Sequence, residues 1–420
     1  VRVALTLALW LSAVAATAQP RHLTWAEALE LASARSEVVL DAALVARLAD
    51  QRRRQQRALM MPDATLQSSL VRNDVEIRIG DRAFVNRWDY TGRLQATVPL
   101  VRAETWALGR AAEAEQAAAE VTVVQGAGAL RALAARAYVE AWAAQDLVDV
   151  AHAQHDLALQ ALAVIRTLHE AGFATDADVA QAELPVIDAH VAAVQAVGLR
   201  TQALRDLMEV LGEPARALPD LHLAGPPDTR LADGGPLTPA LLRARDHLIE
   251  AAAQVSRAAR LTFVPDVSLV GTVNLGRPSL RAPDGYFWTL ALQLDWSLLD
   301  PTRRARSRAG ALEEERGGLE RRRLERELEH AVARARERQR VATESHALAA
   351  ERVETATRVR ALVALRFAAG DITVIEMVTA DQSLFRARSE QVLAARERTL
   401  AFVDRLEAEG LLETPWTVDK

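Results

Sequence analysis

The chain has 420 residues, half of them hydrophobic and a quarter charged, with a formal net charge of −5. Aromatic residues make up only 4% and cysteine is absent, which excludes a disulfide framework, a cysteine–zinc site, a thiol nucleophile and a lipid on an N-terminal cysteine. Alanine, leucine, arginine and glutamate dominate, an alphabet that favours long coiled-coil helices over an aromatic sheet core, and the negative balance argues against nucleic-acid binding.

Arg2 precedes an apolar run from Val3 to Val14, and Ala16-Thr17-Ala18 forms an A-x-A pattern before Gln19. Residues 1–18 therefore read as a secretory signal peptide. The run is shorter than the roughly 20 apolar residues that span a bilayer, and no later segment offers that length without charges. After short helices, Ala64–Val71 and Trp88–Val98 read as a strand pair. Trp88, Tyr90, Leu94, Ala96 and Val98 share one face of the second strand, and Asp89, Thr91, Arg93, Gln95 and Thr97 the other. The polar segment Asn73–Arg87 between them resembles an external loop.

No proline occurs between Pro99 and Pro185. A helix is expected from about Arg102 to His169, about 100 Å long at 1.5 Å per residue. Gly172 ends it as a C-cap residue. A return helix follows over Ala177–Leu211, which Pro185 is expected to interrupt and kink. Residues 212–239 hold clustered prolines and glycines and read as a linker or equatorial segment.

The second half repeats the first. Met61-Pro62-Asp63-Ala64-Thr65-Leu66 is echoed by Val264-Pro265-Asp266-Val267-Ser268-Leu269. Val98-Pro99-Leu100-Val101 and His169-Glu170-Ala171-Gly172-Phe173-Ala174-Thr175 are echoed 198 positions later, by Trp296-Ser297-Leu298-Leu299 and Phe367-Ala368-Ala369-Gly370-Asp371-Ile372-Thr373. That period is too long for a solenoid and indicates duplication of a whole structural unit. The second strand pair is Val267–Leu275 and Tyr286–Trp296, separated by the loop Gly276–Gly285. Tyr286, Trp288, Leu290, Leu292, Leu294 and Trp296 alternate with Thr289, Gln293 and Asp295. The second long helix, about Thr302–Phe367, shows a 4-3 seam of Leu328, Val332, Ala335, Gln339, Ala342, His346, Ala349, Val353, Ala356, Arg360, Val363 and Phe367. Gly370 caps it, and a return helix covers Val374–Glu409.

All four strands have about the 10 residues that a tilted membrane strand needs. Their aromatic residues lie at strand ends, as in an interfacial girdle: Trp88, Tyr90, Tyr286, Trp288 and Trp296. Four strands cannot close a barrel, and lipid tolerates no open edge. The chain is therefore expected to assemble, and strand arithmetic alone allows two copies or three.

This duplicated order of helix, strand pair, long helix, glycine turn and return helix resembles the TolC-type outer-membrane efflux proteins over essentially the whole mature chain. Leu23-Thr24-Trp25-Ala26-Glu27-Ala28-Leu29 looks like the family's opening helix motif. Pro62-Asp63 and Pro265-Asp266 look like its strand starts. Ala171-Gly172-Phe173 and Ala369-Gly370-Asp371 look like its helix-tip turns. The resemblance implies a mainly α fold, with antiparallel coiled-coil helices forming a periplasmic α-barrel and four strands per chain joining a shared transmembrane β-barrel. It further implies a homotrimer in outer-membrane lipid, the exit duct of a tripartite pump, docked through a periplasmic adaptor to an inner-membrane transporter. The tip turns become the adaptor contacts. The family's acidic aperture ring falls on Glu376, and its second position, one turn later, falls on Thr379, a departure. Asp178 is the first-repeat equivalent of Glu376, with Asp176 beside it. Three symmetry-related carboxylates would favour cations, whereas acids at helix starts also complement the helix dipole; both readings stand at this point.

Other chemistry finds less support in the residues. His152 and His155 could share a helix face, but without a second ligand pair they read as surface or seam residues. Arg321-Arg322-Arg323 lies among glutamates and reads as a solvated, ion-paired face. Gly126 and Gly128 lack the strand that a phosphate loop requires. Lys420 is the only lysine, which we attribute to codon usage in a GC-rich genome. No enzyme and no cofactor is expected. The alternative reading is a periplasmic coiled-coil scaffold or adaptor without a barrel. The expected organisation is residues 1–18 as leader, 19–211 as first repeat, 212–239 as linker, 240–410 as second repeat and 411–420 as tail.

Overall fold

The computed structural model describes residues 21–79, 82–85, 87–213, 221–225, 239–275, 286–296 and 302–414. The expected leader, most of the linker, the 276–285 loop and the end of the tail lie outside them. In chain order the elements are β1 (Arg21–Leu23), α1 (Trp25–Arg35), α2 (Glu37–Ala58), β2 (Asp63–Arg72), β3 (Ile77–Ile79), β4 (Arg82–Val85), β5 (Trp88–Val101), α3 (Ala103–Glu170), α4 (Asp176–Leu211), β6 (Leu221–Leu223), α5 (Ala240–Leu261), β7 (Asp266–Leu275), β8 (Tyr286–Asp295), α6 (Thr302–Ala368) and α7 (Val374–Ala408), then a short 3-10 turn at Leu411–Glu413. The chain forms two compact units that each draw on both repeats.

The first unit comprises Val1–Asp41, Val124–Ala240 and Arg326–Lys420. Its core gathers Trp25 and Leu29 of α1, Tyr138 and Val139 of α3, Leu207 and Leu211 of α4, and Phe402 and Leu406 of α7. The opening motif is legible here. Thr24 and Glu27 form a reciprocal capping box, which satisfies two backbone donors at the start of α1, while Trp25, Ala28 and Leu29 are buried. Trp25 meets Tyr138 edge-on, with ring centroids 5.6 Å apart. β1 and β6 form a parallel two-stranded ribbon, an element absent from the expected organisation. The Tyr138 hydroxyl ties it down, lying 2.9 Å from the Leu23 carbonyl and 2.6 Å from the Ala224 carbonyl. Burial pushes this phenol well above its usual range.

All twelve seam positions of α6 are buried or half-buried. Polar members of the seam pair with α7: Arg405 reaches Gln339 at 3.2 Å, and Arg360 reaches the buried Asp381 at 3.0 Å. Pro185 does not break the helix: α4 is continuous from Asp176 to Leu211. A proline removes one helical hydrogen bond, and here Pro185 lines a small crevice with Ala158, Ala182 and Val378. Among the described helices, α4 alone is long and apolar enough to cross a membrane by composition, although it carries Glu183, Asp188 and Arg200.

The second unit comprises Ala42–Val123 and Leu241–Glu325. It holds a four-stranded sheet in the order β2-β5-β7-β8 with antiparallel neighbours. Pro62 and Pro265 stand just outside β2 and β7, where a missing donor costs nothing. β5 runs three residues further than expected, to Val101, with a register shift between Pro99 and Val101. The segment expected as a plain external loop contains the small hairpin β3–β4. α5 and α6 are tied by Arg321 to Asp246 at 2.6 Å and by Arg245 to Glu320, so Arg321 of the three-arginine run is ion-paired.

Candidate functional site

The sheet has two chemically distinct faces. Residues directly opposite on paired strands point the same way. The register places Leu66, Leu94, Val273 and Trp288 in one row, and Ala64, Ala96, Gly271 and Leu290 in another. Leu70 with Tyr90, and Leu275 with Tyr286, extend the same face. Most of these large side chains are exposed, among them Leu66 at 71% and Trp288 at 69%. The opposite face carries Thr65, Gln95, Thr272 and Thr289 in one row. Polar bonds run across it: Ser69 to Thr91 at 2.7 Å, Thr272 to Thr289 at 2.5 Å, and Arg93 Nε to Asn274 Oδ1 at 2.9 Å. β2 and β8 each have one edge without a partner among the described residues.

The five aromatic residues singled out from the sequence fall at two levels. Trp88, Tyr90, Tyr286 and Trp288 lie at the ends of the strands away from the helices. Trp296 follows β8 at the helix end, donating its indole N–H to the Phe263 carbonyl at 3.2 Å. Arg72 stacks over Trp88 at 5.6 Å. Trp106 on α3 joins the helix-end level; the sequence reading passed over it because it lies on a helix.

In the first unit the two helix-tip turns share one backbone design. Gly172 and Gly370 have φ of +81° and +78°, a left-handed conformation that costs glycine little and other residues more. Phe173 N–H donates to the Leu168 carbonyl at 2.8 Å and Gly172 N–H to His169 at 2.9 Å; Asp371 and Gly370 do the same to Arg366 and Phe367, both at 3.0 Å. Both are Schellman turns, which explains why the glycines end their helices. Phe173 is 84% exposed.

The side chains of the tips differ. Thr175 caps α4, and Asp178 closes a reciprocal box, accepting from the Thr175 N–H at 2.9 Å and its hydroxyl at 2.7 Å. These bonds, the backbone one first, hold the Asp178 carboxyl below its ordinary range. Asp176 meets His169 Nε2 at 2.9 Å. In the second repeat Thr373 has the same extended backbone but makes no side-chain cap bond. The Glu376 carboxylate is exposed, with no hydrogen bond or ion pair to a described residue. Thr379 donates its hydroxyl proton to the Ile375 carbonyl at 2.7 Å. The start of α7 is held by packing: Phe367 and Val374 lie against a cluster of Leu162, Ile165 and Ala182. Sequence reasoning missed the Arg360–Asp381 pair because Arg360 looked like a seam misfit; an arginine inside an apolar seam was the available signal. His155 faces His190 across α3 and α4 at 5.4 Å between ring centroids, whereas His152 is exposed.

The sequence profile of the outer membrane efflux protein family matches residues 28–213 and 238–405, two blocks that follow the two repeats. No curated protein sequence matches the chain. Several solved structures share the fold. The outer membrane protein VceC from Vibrio cholerae superposes with a TM-score of 0.78 at 17% identity, over 92% of this chain and 96% of that one. The open state of the Neisseria gonorrhoeae MtrE outer membrane channel gives 0.76 at 17% identity, over 95% and 91%. A membrane protein from Pseudomonas aeruginosa gives 0.77 at 20% identity, over 92% and 90%. With both blocks matched and the two-faced sheet and twinned helical hairpins in place, the chain belongs to the outer membrane efflux protein family, a family of exit ducts that stand in the outer membrane with their helices in the periplasm.

Proposed function

We propose that three chains pool their sheets into one twelve-stranded barrel, and that their helices enclose a passive tunnel gated at its periplasmic tip. The observation that carries this reading is the sheet: one exposed apolar face, one polar face that is exposed or half-buried except at Ser268 and Asn274, and two edges without a partner among the described residues. Such a surface suits lipid on one side and water on the other, once neighbouring copies close the edges. The aromatic levels at Trp88, Tyr90, Tyr286 and Trp288, and at Trp296, become the two interfacial girdles. Exposed apolar residues on α4, among them Leu184, Ile187, Val191 and Val194, support packing against neighbouring copies.

At the tip, Glu376 forms the acidic ring, because its carboxylate is free of local bonds. Asp178 serves chiefly as a helix cap, and Asp176 as the partner of His169. Thr379, spending its proton on its own helix, adds no charge to the ring. The turns Ala171-Gly172-Phe173 and Ala369-Gly370-Asp371 present the surface for a periplasmic adaptor, which links the duct to an inner-membrane transporter. Planar-bilayer recording tests the ring. Glu376→Ala is expected to weaken block of single-channel current by divalent cations, and Asp178→Ala to change it far less. Undiminished block in Glu376→Ala would remove Glu376 from this role.

A further inference from the structure

The helix ends beside the sheet carry a charge pattern that a water-filled duct does not call for. The ten residues nearest the sheet on each connection, 51–60, 102–111, 252–261 and 302–311, hold four, two, two and four arginines against a single acid, Glu104. The next ten on each, 41–50, 112–121, 242–251 and 312–321, hold one, none, two and two arginines against two, three, two and four acids. The sign of the layer reverses within about 15 Å of helix. Arginine-rich codon usage explains why these cations are not lysines; it does not explain their segregation.

Helix dipoles do not account for it either. α2 and α5 end at this layer, where cations complement the dipole, but α3 and α6 begin there, where cations oppose it. α6 nonetheless opens on arginines with no acid in its first turn.

The four segments form one layer within the second unit. Arg57 bonds Glu113 at 2.6 Å and joins α2 to α3. Arg102 donates to the Leu59 carbonyl at 3.0 Å. The guanidinium groups of Arg110 and Arg257 lie 4.4 and 5.6 Å from the centroid of the Trp106 ring, which so joins α3 to α5. A Cβ on Gly310 would stand 2.8 Å from Ser256 Cα, so α5 and α6 touch at backbone distance. Arg52, Arg260, Arg304 and Arg308 are exposed and make no ion pair with a described residue. Exposed apolar residues, Met61, Phe263 and Trp296 among them, mark the sheet side of the same layer.

We propose that this layer is a collar that binds the anionic headgroups of phospholipids in the periplasm-facing leaflet of the outer membrane. The inference rests on the sheet being the membrane-spanning part. Exposed guanidinium groups offer paired donors to phosphate oxygens, and basic residues at a membrane surface attract anionic lipid. The continuity of the collar with the apolar face of the sheet puts the charges at headgroup depth. The acidic layer beyond it limits the attraction to that depth.

The test uses the full-length protein in detergent, titrated with phosphatidylglycerol or with phosphatidylcholine of the same chains and read by native mass spectrometry. The unaltered protein is expected to prefer phosphatidylglycerol. Each collar arginine that touches a headgroup contributes about fivefold at low salt. The combined Arg52→Gln, Arg260→Gln, Arg304→Gln and Arg308→Gln variant is expected to lose that preference. A matched variant, Arg205→Gln, Arg326→Gln, Arg334→Gln and Arg358→Gln, removes the same charge elsewhere and is expected to keep it. Retained preference in the collar variant, or equal loss in the matched one, would overturn the collar. Failure of the unaltered protein to insert into any vesicle would overturn the channel reading instead; insertion without headgroup preference would overturn the collar alone.

Discussion

The two helix tips solve one geometric problem with different chemistry. Each reverses the chain through a Schellman turn at a glycine with positive φ, and each is followed by a threonine in extended conformation. The first tip then closes on itself with Thr175 bonded to Asp178 and Asp176 beside His169. The second makes no such local bonds; Val374 and Phe367 hold it by packing, and Glu376 is left unspent. The two tips thus share a backbone and differ in whether the carboxylate is bonded. Both tips pack on the cluster of Leu162, Ile165 and Ala182, through Ala174 and Val179 in the first and Phe367 and Val374 in the second, but only the first adds side-chain caps to that packing.

The widest effect is expected from Ile165→Ala. Ile165 is 1% exposed in the cluster that receives Phe367 and Val374, and such a truncation costs about 2–5 kcal/mol. Hydrogen exchange should rise at both tips; a rise confined to the first would break the claim that packing holds the second. Next, Arg360→Ala leaves the buried Asp381 without its cation, at a cost of about 3 kcal/mol. Exchange should rise along α6 and α7 only, with partial recovery in Arg360→Lys. Thr175→Ala should then weaken the start of α4 by about 1 kcal/mol, while Thr373→Ala, whose hydroxyl makes no cap bond, should leave the start of α7 nearly unchanged. Equal losses in the two variants would erase the contrast. The smallest effect is one of pH. The Asp178 carboxyl is held below its ordinary range by Thr175, so its contribution is complete above the unfolded carboxyl's pKa and is lost as pH falls through its lower folded value. Protection at the start of α4 should decline on that acid side, and Asp178→Asn should remove the decline.

Much of the architecture was legible because it rests on periodic features. The strand alternation of Tyr286–Trp296 and the 4-3 seam of α6 are repeated signals, and each maps onto a face that the structure sets apart. Gly172 and Gly370 were legible because positive φ selects glycine. The ribbon of β1 and β6 was not, since three-residue strands carry too few side chains to show a period, and its anchor, the Tyr138 hydroxyl, lies far away in sequence. Pro185 did not end its helix, because the loss of one hydrogen bond leaves the rest of a 36-residue helix in place. At the candidate site, the position of each acid was readable while its state was not. Asp178 and Glu376 are equivalent in sequence, and only the neighbouring threonine's bond separates a cap from a free carboxylate. The collar escaped notice because its arginines are spread over four segments that only the fold gathers into one layer.

The central claim is that an open-edged, two-faced sheet is completed by other copies of the same chain. The mass of the full-length protein extracted from membranes in mild detergent tests it most directly. A particle of three chains, stable without added partner, is the predicted result. A single chain that stays dispersed in water without detergent would contradict it.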